Sequence, residues 1–248
     1  MHMNKIIVSL VGVVALAGVA LGMYYAVSAG IFSPAPREEI VYVLESVKDG
    51  TYTGTLPSLD HRIGPSTLPE EARAAFDAKA RENQQRLARV PYDGNEWMNL
   101  ALHYKSGNDT KAAEEVWNFI VAVTPSNVTA INNLGRLYHY DYKDFPKAEE
   151  FFRQALAANP DRPEAYIELF DLYRYSYKKD TTAAVDILTE AAERFSDSPN
   201  YHALLGVYYR DAGRTGLARI HFEKALSIAR KIGDLNSVST LTSELSRL

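Results

Sequence analysis

Between Trp97 and Ala225 the chain repeats one set of steps four times, and this periodicity restricts the possible folds more than any other feature. Trp97 is followed by Leu100, Ala101 and Tyr104, then by Ala113, Trp117, Ile120 and a closing Pro125. Ile131 opens a second pass through Leu134, Gly135 and Tyr138, then Ala148, Phe152, Ala155 and Pro160, a proline-to-proline step of 35 residues. Tyr166, Leu169, Phe170 and Tyr173 begin a third pass that reaches Ala184, Leu188 and Ala191 over a turn two residues longer than the first. His202, Leu205, Gly206 and Tyr209 begin a fourth, continued by Ala218, Phe222 and Ala225. Steps of three and four put the first group of each pass on one face of a helix and the second group on one face of another, with small residues where the backbones cross. A single helix pair of this kind leaves an apolar side that only the next pair can cover. The units therefore stack.

This order of bulky residue, Leu, small residue, Tyr, Ala, large apolar residue, Ala and Pro resembles the tetratricopeptide repeat over about Gly94 to Arg230. The resemblance implies an all-α chain built as a right-handed solenoid of about four helix pairs over residues 94–232, and it implies protein or peptide partners. Three positions depart from the pattern. Phe170 takes the small position of the third unit, which would splay that pair. Ile120 replaces an Ala in the first unit, and Arg230 stands where a Pro would end the fourth, so its last helix is expected to run on towards Lys231. Beyond Gly233, Leu235, Val238, Leu241 and Leu245 recur at helical spacing, so residues 233–248 are expected to form a closing helix.

No side chain between Ile6 and Phe32 carries a charge. As a helix that run would span ~40 Å against a hydrocarbon thickness of ~30 Å. Residues 1–32 are therefore expected to be a transmembrane anchor, with Tyr24 and Tyr25 at the far interface. Val27-Ser28-Ala29 also offers the small residues of a signal-peptidase site, so a cleaved signal is the competing expectation. Lys5 and the amino terminus lie on one side, and Arg37, Glu38 and Glu39 on the other. That bias predicts a cytoplasmic amino terminus and a body in the periplasm or outside the cell, on a single-pass inner-membrane protein.

Ser33-Pro34-Ala35-Pro36 should stop the helix, and residues 33–66 are expected to be a linker. Within it Glu38 to Val47 has helical spacing, although its IVYV stretch would also serve as a strand. Gly50 to Ser66 has no sustained period and predicts a tether or irregular loop. Its Asp60-His61-Arg62 trio is expected to be solvated, having no nucleophile paired with it. Thr67 and Glu70 form a capping box, predicting a helix from about Leu68 to Val90 whose thin stripe of Leu68, Ala72, Phe76 and Leu87 docks on the array, within a cap over residues 67–93.

Lys5 is the only charged residue before Arg37, so the remainder is one unit more negative than the net −4 of the whole chain. Such a body is a poor ligand for nucleic acid. The chain has no cysteine, which removes disulfides and thiolate chemistry. Histidines at 2, 61, 103, 139, 202 and 221 lack metal-ligand spacing, and neither a nucleophile elbow nor a phosphate-cradling loop is present. Catalysis, cofactors, metals and small-molecule substrates are therefore not expected.

By the resemblance, the first helix of each unit lines the concave face, where Asn99, Asn132, Asn133, Arg136, His139, Asp171 and Tyr175 are the candidates for a peptide groove. One subfamily clamps a terminal carboxylate there with Lys and Asn. In this chain Met98 and Leu102 occupy the start of that clamp, and Glu164 and Glu168 would repel such a ligand. The expected role is a membrane-anchored, exported scaffold in assembly or maturation of envelope proteins. The alternative is a stoichiometric structural subunit of one stable membrane complex.

Overall fold

The computed structural model describes residues 42–179 and 181–248. The uncharged run 6–32, its orientation and the proline spacer all lie outside the described residues. Among the described residues, no helix is long and apolar enough to cross a membrane.

The described chain is all-α, and each helix packs chiefly on its neighbours in sequence. A short turn α1 (Glu45–Lys48) precedes α2 (Glu70–Leu87), and four helix pairs follow. The first pair is α3 (Gly94–Ser106) with α4 (Thr110–Val123). The second is α5 (Val128–Arg136), extended by a π-helical turn Leu137–Tyr142, with α6 (Phe145–Ala158). The third is α7 (Pro163–Asp171), extended by a π-helical turn Leu172–Ser176, with α8 (Ala183–Arg194). The fourth is α9 (Asn200–Asp211) with α10 (Thr215–Ile232), and α11 (Leu235–Ser246) closes the series.

The residues of the repeated steps form the core. Trp97, Leu100, Leu134, Tyr166 and Leu169 are fully buried, as are Ala113, Phe152, Leu188 and Ala225, while Tyr104, Tyr173 and Phe222 are buried to within 1%. Close packing also explains the small positions. A Cβ on Gly135 would lie 2.5 Å from the Phe152 ring, and one on Gly206 would lie 2.5 Å from the Phe222 ring. In the third unit Phe170 and Leu188 exchange these sizes, and both are buried in one cluster. The large residue expected to splay the pair is therefore accommodated where its partner is smaller.

The lengthened turns have a specific structural outcome. From the signature Tyr to the next Ala is nine residues in units one and four, ten in unit two and eleven in unit three. The extra residues are taken up as π-helical turns at the ends of α5 and α7, where wider i→i+5 bonding absorbs an insertion without breaking the helix. Asn108, Lys143, Lys178 and Gly213 then adopt left-handed backbone at the four corners. Asp93, Asp109, Asn127, Asp144 and Asp234 cap the following helices by accepting backbone N–H groups.

The amino-terminal segment differs from the expected linker. Leu44 is fully buried and its N–H donates to the Tyr92 carbonyl, while Val43 bridges Asp93 in antiparallel fashion. The helix predicted for 38–47 is reduced, among described residues, to α1, because Tyr42 to Leu44 bond across to residues 92–94 instead of along the chain. Residues 50–66 are irregular but docked. Tyr52 meets Phe119 edge-on at 5.6 Å, and Ile63 is 4% exposed. The trio is exposed, as expected, and two of its side chains also have partners. His61 Nε2 lies 2.8 Å from Asp109, and the Arg62 Nε donates to both oxygens of Asp77 at 3.0 Å.

Helix α2 docks through polar groups that the apolar stripe missed. Asp77, Asn83 and Gln84 are buried beside Ala80 and Leu87, and Gln84 donates to the His61 carbonyl and the Tyr104 hydroxyl. Pro69 sits at the N-cap without a side-chain cap bond, and the Thr67 hydroxyl accepts from Asn108 instead, so the capping box does not form. Asp77→Ala would orphan the buried N–H of Ile63, which donates to Asp77, and would release Arg62. The expected result is a loss of ~2 kcal/mol with faster amide exchange confined to residues 58–66. Uniform exchange rates across the array would contradict this docking role.

Candidate peptide groove

Ion pairs link the first helices of successive units, and these charges form a ladder. Lys105 of α3 pairs with Asp141 at 3.0 Å, and Arg136 of α5 with Glu168 of α7 at 3.3 Å. Arg174 pairs with Asp211, and Arg210 with Glu244 of α11. Each of these cations bonds an acid of the next unit's first-helix segment or, for Arg210, of the closing helix. Burial raises the pKa of Glu168 and of Asp171, against the opposing pull of Arg136 and Arg174. Burial also pushes the Tyr140 hydroxyl up to about 12, with nearby Glu168 adding to the shift.

The seven candidates do not form one surface. Asn99 and Tyr175 are exposed, and Tyr175 lies with its ring centroid 4.9 Å from the Arg174 guanidinium. Asn132 and Asn133 lie side by side on α5 at the wall of a small cleft that also includes Val128, Arg162 and Glu164. Asn133 further lines a larger pocket with Arg136. The Asn132 Oδ1 is buried and makes no hydrogen bond. Asp171 is half-buried beside Arg174.

His139 does not face an open groove. It is 3% exposed, bonds the Ser176 hydroxyl at 2.8 Å and stacks on Tyr140 at 4.0 Å. The π-helical turn rotates this residue away from the position that regular helical spacing assigns. Burial lowers its pKa, and Lys143 adds to the effect.

The signature tyrosines are packing residues. Tyr138 and Tyr173 donate to Glu114 and Glu149 of the preceding unit's second helix, while Tyr104 accepts from Gln84. Burial pushes the Tyr104 hydroxyl up to about 12. Sequence reasoning did not find the ladder's acids Asp141, Asp211 and Glu244. Their signal was recurrence of acid after base at close to one repeat length, 36, 37 and 34 residues apart. Among the described residues, no group of three or more His, Asp or Glu side chains is arranged to hold a metal ion.

Three models described as tetratricopeptide repeat match residues 98–163, 139–208 and 199–232, together spanning more than half of the sequence. The chain belongs to the tetratricopeptide repeat family. Two structures of MamA resemble it at 20% identity and a TM-score of 0.51. One match covers 66% of this chain and 95% of that one, the other 67% and 89%. A protein of Thermus thermophilus described as a thermophilic TPR protein aligns at 22% identity and a TM-score of 0.47 over 71% of this chain and 93% of that one. No curated protein matches by sequence.

Proposed function

We propose that the array is a non-catalytic scaffold that holds segments of protein partners along its first helices, displayed from a membrane by residues 6–32 on the periplasmic or outer side. Tetratricopeptide repeats bind protein or peptide partners, which supplies the general class. One observation supports the groove itself. Lys105 and Arg136 of the first helices are already engaged by acids of the ladder, while Asn132 and Asn133 line a cleft and present neutral amides to it. Such a surface fits an uncharged backbone better than a charged terminus. Tethering near a bilayer would raise the effective concentration of partners in the same membrane, which suits assembly or maturation of envelope proteins.

Photocrosslinking in the full chain, in its own membrane, tests this reading. A photoreactive residue at Asn99 or Arg136 should give partner adducts, whereas one at the exposed Ile220 of α10 should give few. Adducts from Ile220 alone would overturn the groove. One stoichiometric adduct in place of several would instead identify the chain as a fixed subunit.

A further inference from the structure

The signature tyrosines of the second and third units each bond an acid 24 residues earlier, on the preceding unit's second helix. Tyr138 donates to Glu114, and Tyr173 donates to Glu149 at 2.6 Å. Glu149 also accepts from Lys178 at 2.7 Å and from Arg153 at 3.1 Å. In the fourth unit the same step back from Tyr209 reaches Val185. The tyrosine is nevertheless held in the same pose. His221 stacks on Tyr209 with centroids 5.4 Å apart and planes at 18°, as Phe151 stacks on Tyr138 at 5.4 Å and 16°. Each stacking partner stands three residues after its helix's signature alanine, Ala218 or Ala148. The Tyr209 hydroxyl is thus directed to a place from which the acid is missing. It makes no hydrogen bond among the described residues, and it is not sealed from solvent.

An open pocket of about 530 Å³ occupies that place, and its wall includes Val185 and Tyr209 together with Lys179 and Arg214. Neither cation has an ion pair or a side-chain hydrogen bond among the described residues, whereas Lys105, Arg136 and Lys178 are all engaged. Arg214 holds the N-cap of α10 without a side-chain cap bond, a position that Asp109 and Asp144 fill before α4 and α6. Asp186 is the one acid among the described lining residues, and its carboxylate accepts from the Thr182 hydroxyl at 2.7 Å. Lys179 lies on the turn that is two residues longer than in units one and four. Those units stack without the insertion, so packing does not require the cation it brings to the wall.

We propose that this pocket takes an acidic side chain of a partner protein, its carboxylate standing where Glu114 and Glu149 stand in the other units, accepting from the Tyr209 hydroxyl and paired with Arg214 and Lys179. The chain itself supplies the precedent, since Tyr173 and Lys178 already hold a carboxylate in this way. A neutral amide would meet the hydroxyl and leave both cations unmatched, and an ammonium would face like charge. A side chain is assigned as the source because Glu114 and Glu149 reach their tyrosines as side chains, from backbone that runs past the site. The pocket shares no lining residue with the clefts of the first helices. It rests on the scaffold reading only in that the acid belongs to a protein partner.

Methyl NMR spectra of the full chain labelled with ¹³C-valine provide the test, with N-acetylglutamate α-amide, N-acetylglutamine α-amide and N-acetylalanine as probes at neutral pH. Val185→Ala assigns the reporter signals. The glutamate probe should move the Val185 methyls saturably and bind at least ~10-fold more tightly than the glutamine probe, the size of one charge-assisted hydrogen bond. Tyr209→Phe, which keeps a ring on His221, should weaken that binding about 5-fold, and Arg214→Gln at its exposed position about as much. Val185→Glu restores the missing acid within the chain. It should melt roughly 3 °C above Val185→Gln, and adding Tyr209→Phe to both should erase the margin. Equal binding of the glutamate and glutamine probes, no saturable shift, or equal melting of Val185→Glu and Val185→Gln would overturn the site. Tighter binding of N-acetylalanine would overturn the side chain as its source. The crosslinking result from Asn99 and Arg136 stands independently of these probes, so failure of the pocket and failure of the groove are distinguishable.

Discussion

Gly206→Leu is expected to destabilise the array by ~3 kcal/mol or more, the largest effect of any single surface-neutral change in the four pairs. The added Cβ would sit 2.5 Å from one ring carbon of Phe222 and 2.9 Å from another, and that ring is 1% exposed, so it has no free space into which to turn. Helices α9 and α10 would have to separate, uncovering the Ala218, Ala225 and Ala229 face that joins them to α11. Gly135→Leu should do the same to α5 and α6 through Phe152. Urea denaturation followed by circular dichroism measures the loss. Arg136→Ala, whose side chain is 57% exposed, should cost well under ~1 kcal/mol in the same assay. The third unit indicates how to rescue the damage, since Phe170 and Leu188 are both buried with the sizes reversed. Gly206→Phe combined with Phe222→Leu should therefore recover part of the stability that Gly206→Phe alone loses. Additive losses in that double variant would show that this interface does not work by size exchange.

The four units were legible because a stacked helix pair imposes the same contact at the same step each time, so that Leu100, Leu134, Leu169 and Leu205 occupy equivalent buried positions. The ends of the array were far less legible. Leu44 and Ile63 bury themselves singly from an irregular segment, and no period betrays such contacts. Helix α2 docks by Asp77, Asn83 and Gln84, residues that a hydrophobic pattern assigns to solvent. At the opposite end Leu235, read as part of the closing stripe, is 78% exposed, whereas Leu241 is buried. Residue spacing also predicts side-chain direction only while the helix stays regular. Across the π-helical turn that rule fails, which is why His139 is buried while Tyr140 emerges. Asn132, Asn133 and Arg136 precede that turn, on the regular part of α5, and line two pockets.

The second large effect is acid sensitivity centred on His202. This residue holds the bulky position that Trp97, Ile131 and Tyr166 fill in the other units, and it is 7% exposed. Its Nδ1 lies 3.2 Å from Nδ1 of His221, which in turn stacks on Tyr209. One imidazole donates and the other accepts, so the pair is satisfied when both rings are neutral. Burial, reinforced by the charges of Lys224 and His221, lowers the His202 pKa from 6.5 to about 4. Burial lowers that of His221 as well, with Lys224 again contributing. The unfolded chain therefore takes up a proton below about pH 6.5 that the folded chain refuses until about pH 4. Stability from this residue is complete above the upper value and is lost progressively as pH falls towards the lower one, by up to ~3 kcal/mol. Glu168 and Asp171, raised by burial, act in the opposite sense and partly mask the loss. His202→Phe keeps an aromatic ring in the position and leaves the half-buried His221 to water. Its melting temperature should fall between pH 7.5 and pH 5 by about 5 °C less than that of the parent chain. Parallel curves for the two proteins would remove His202 as the source of the acid sensitivity.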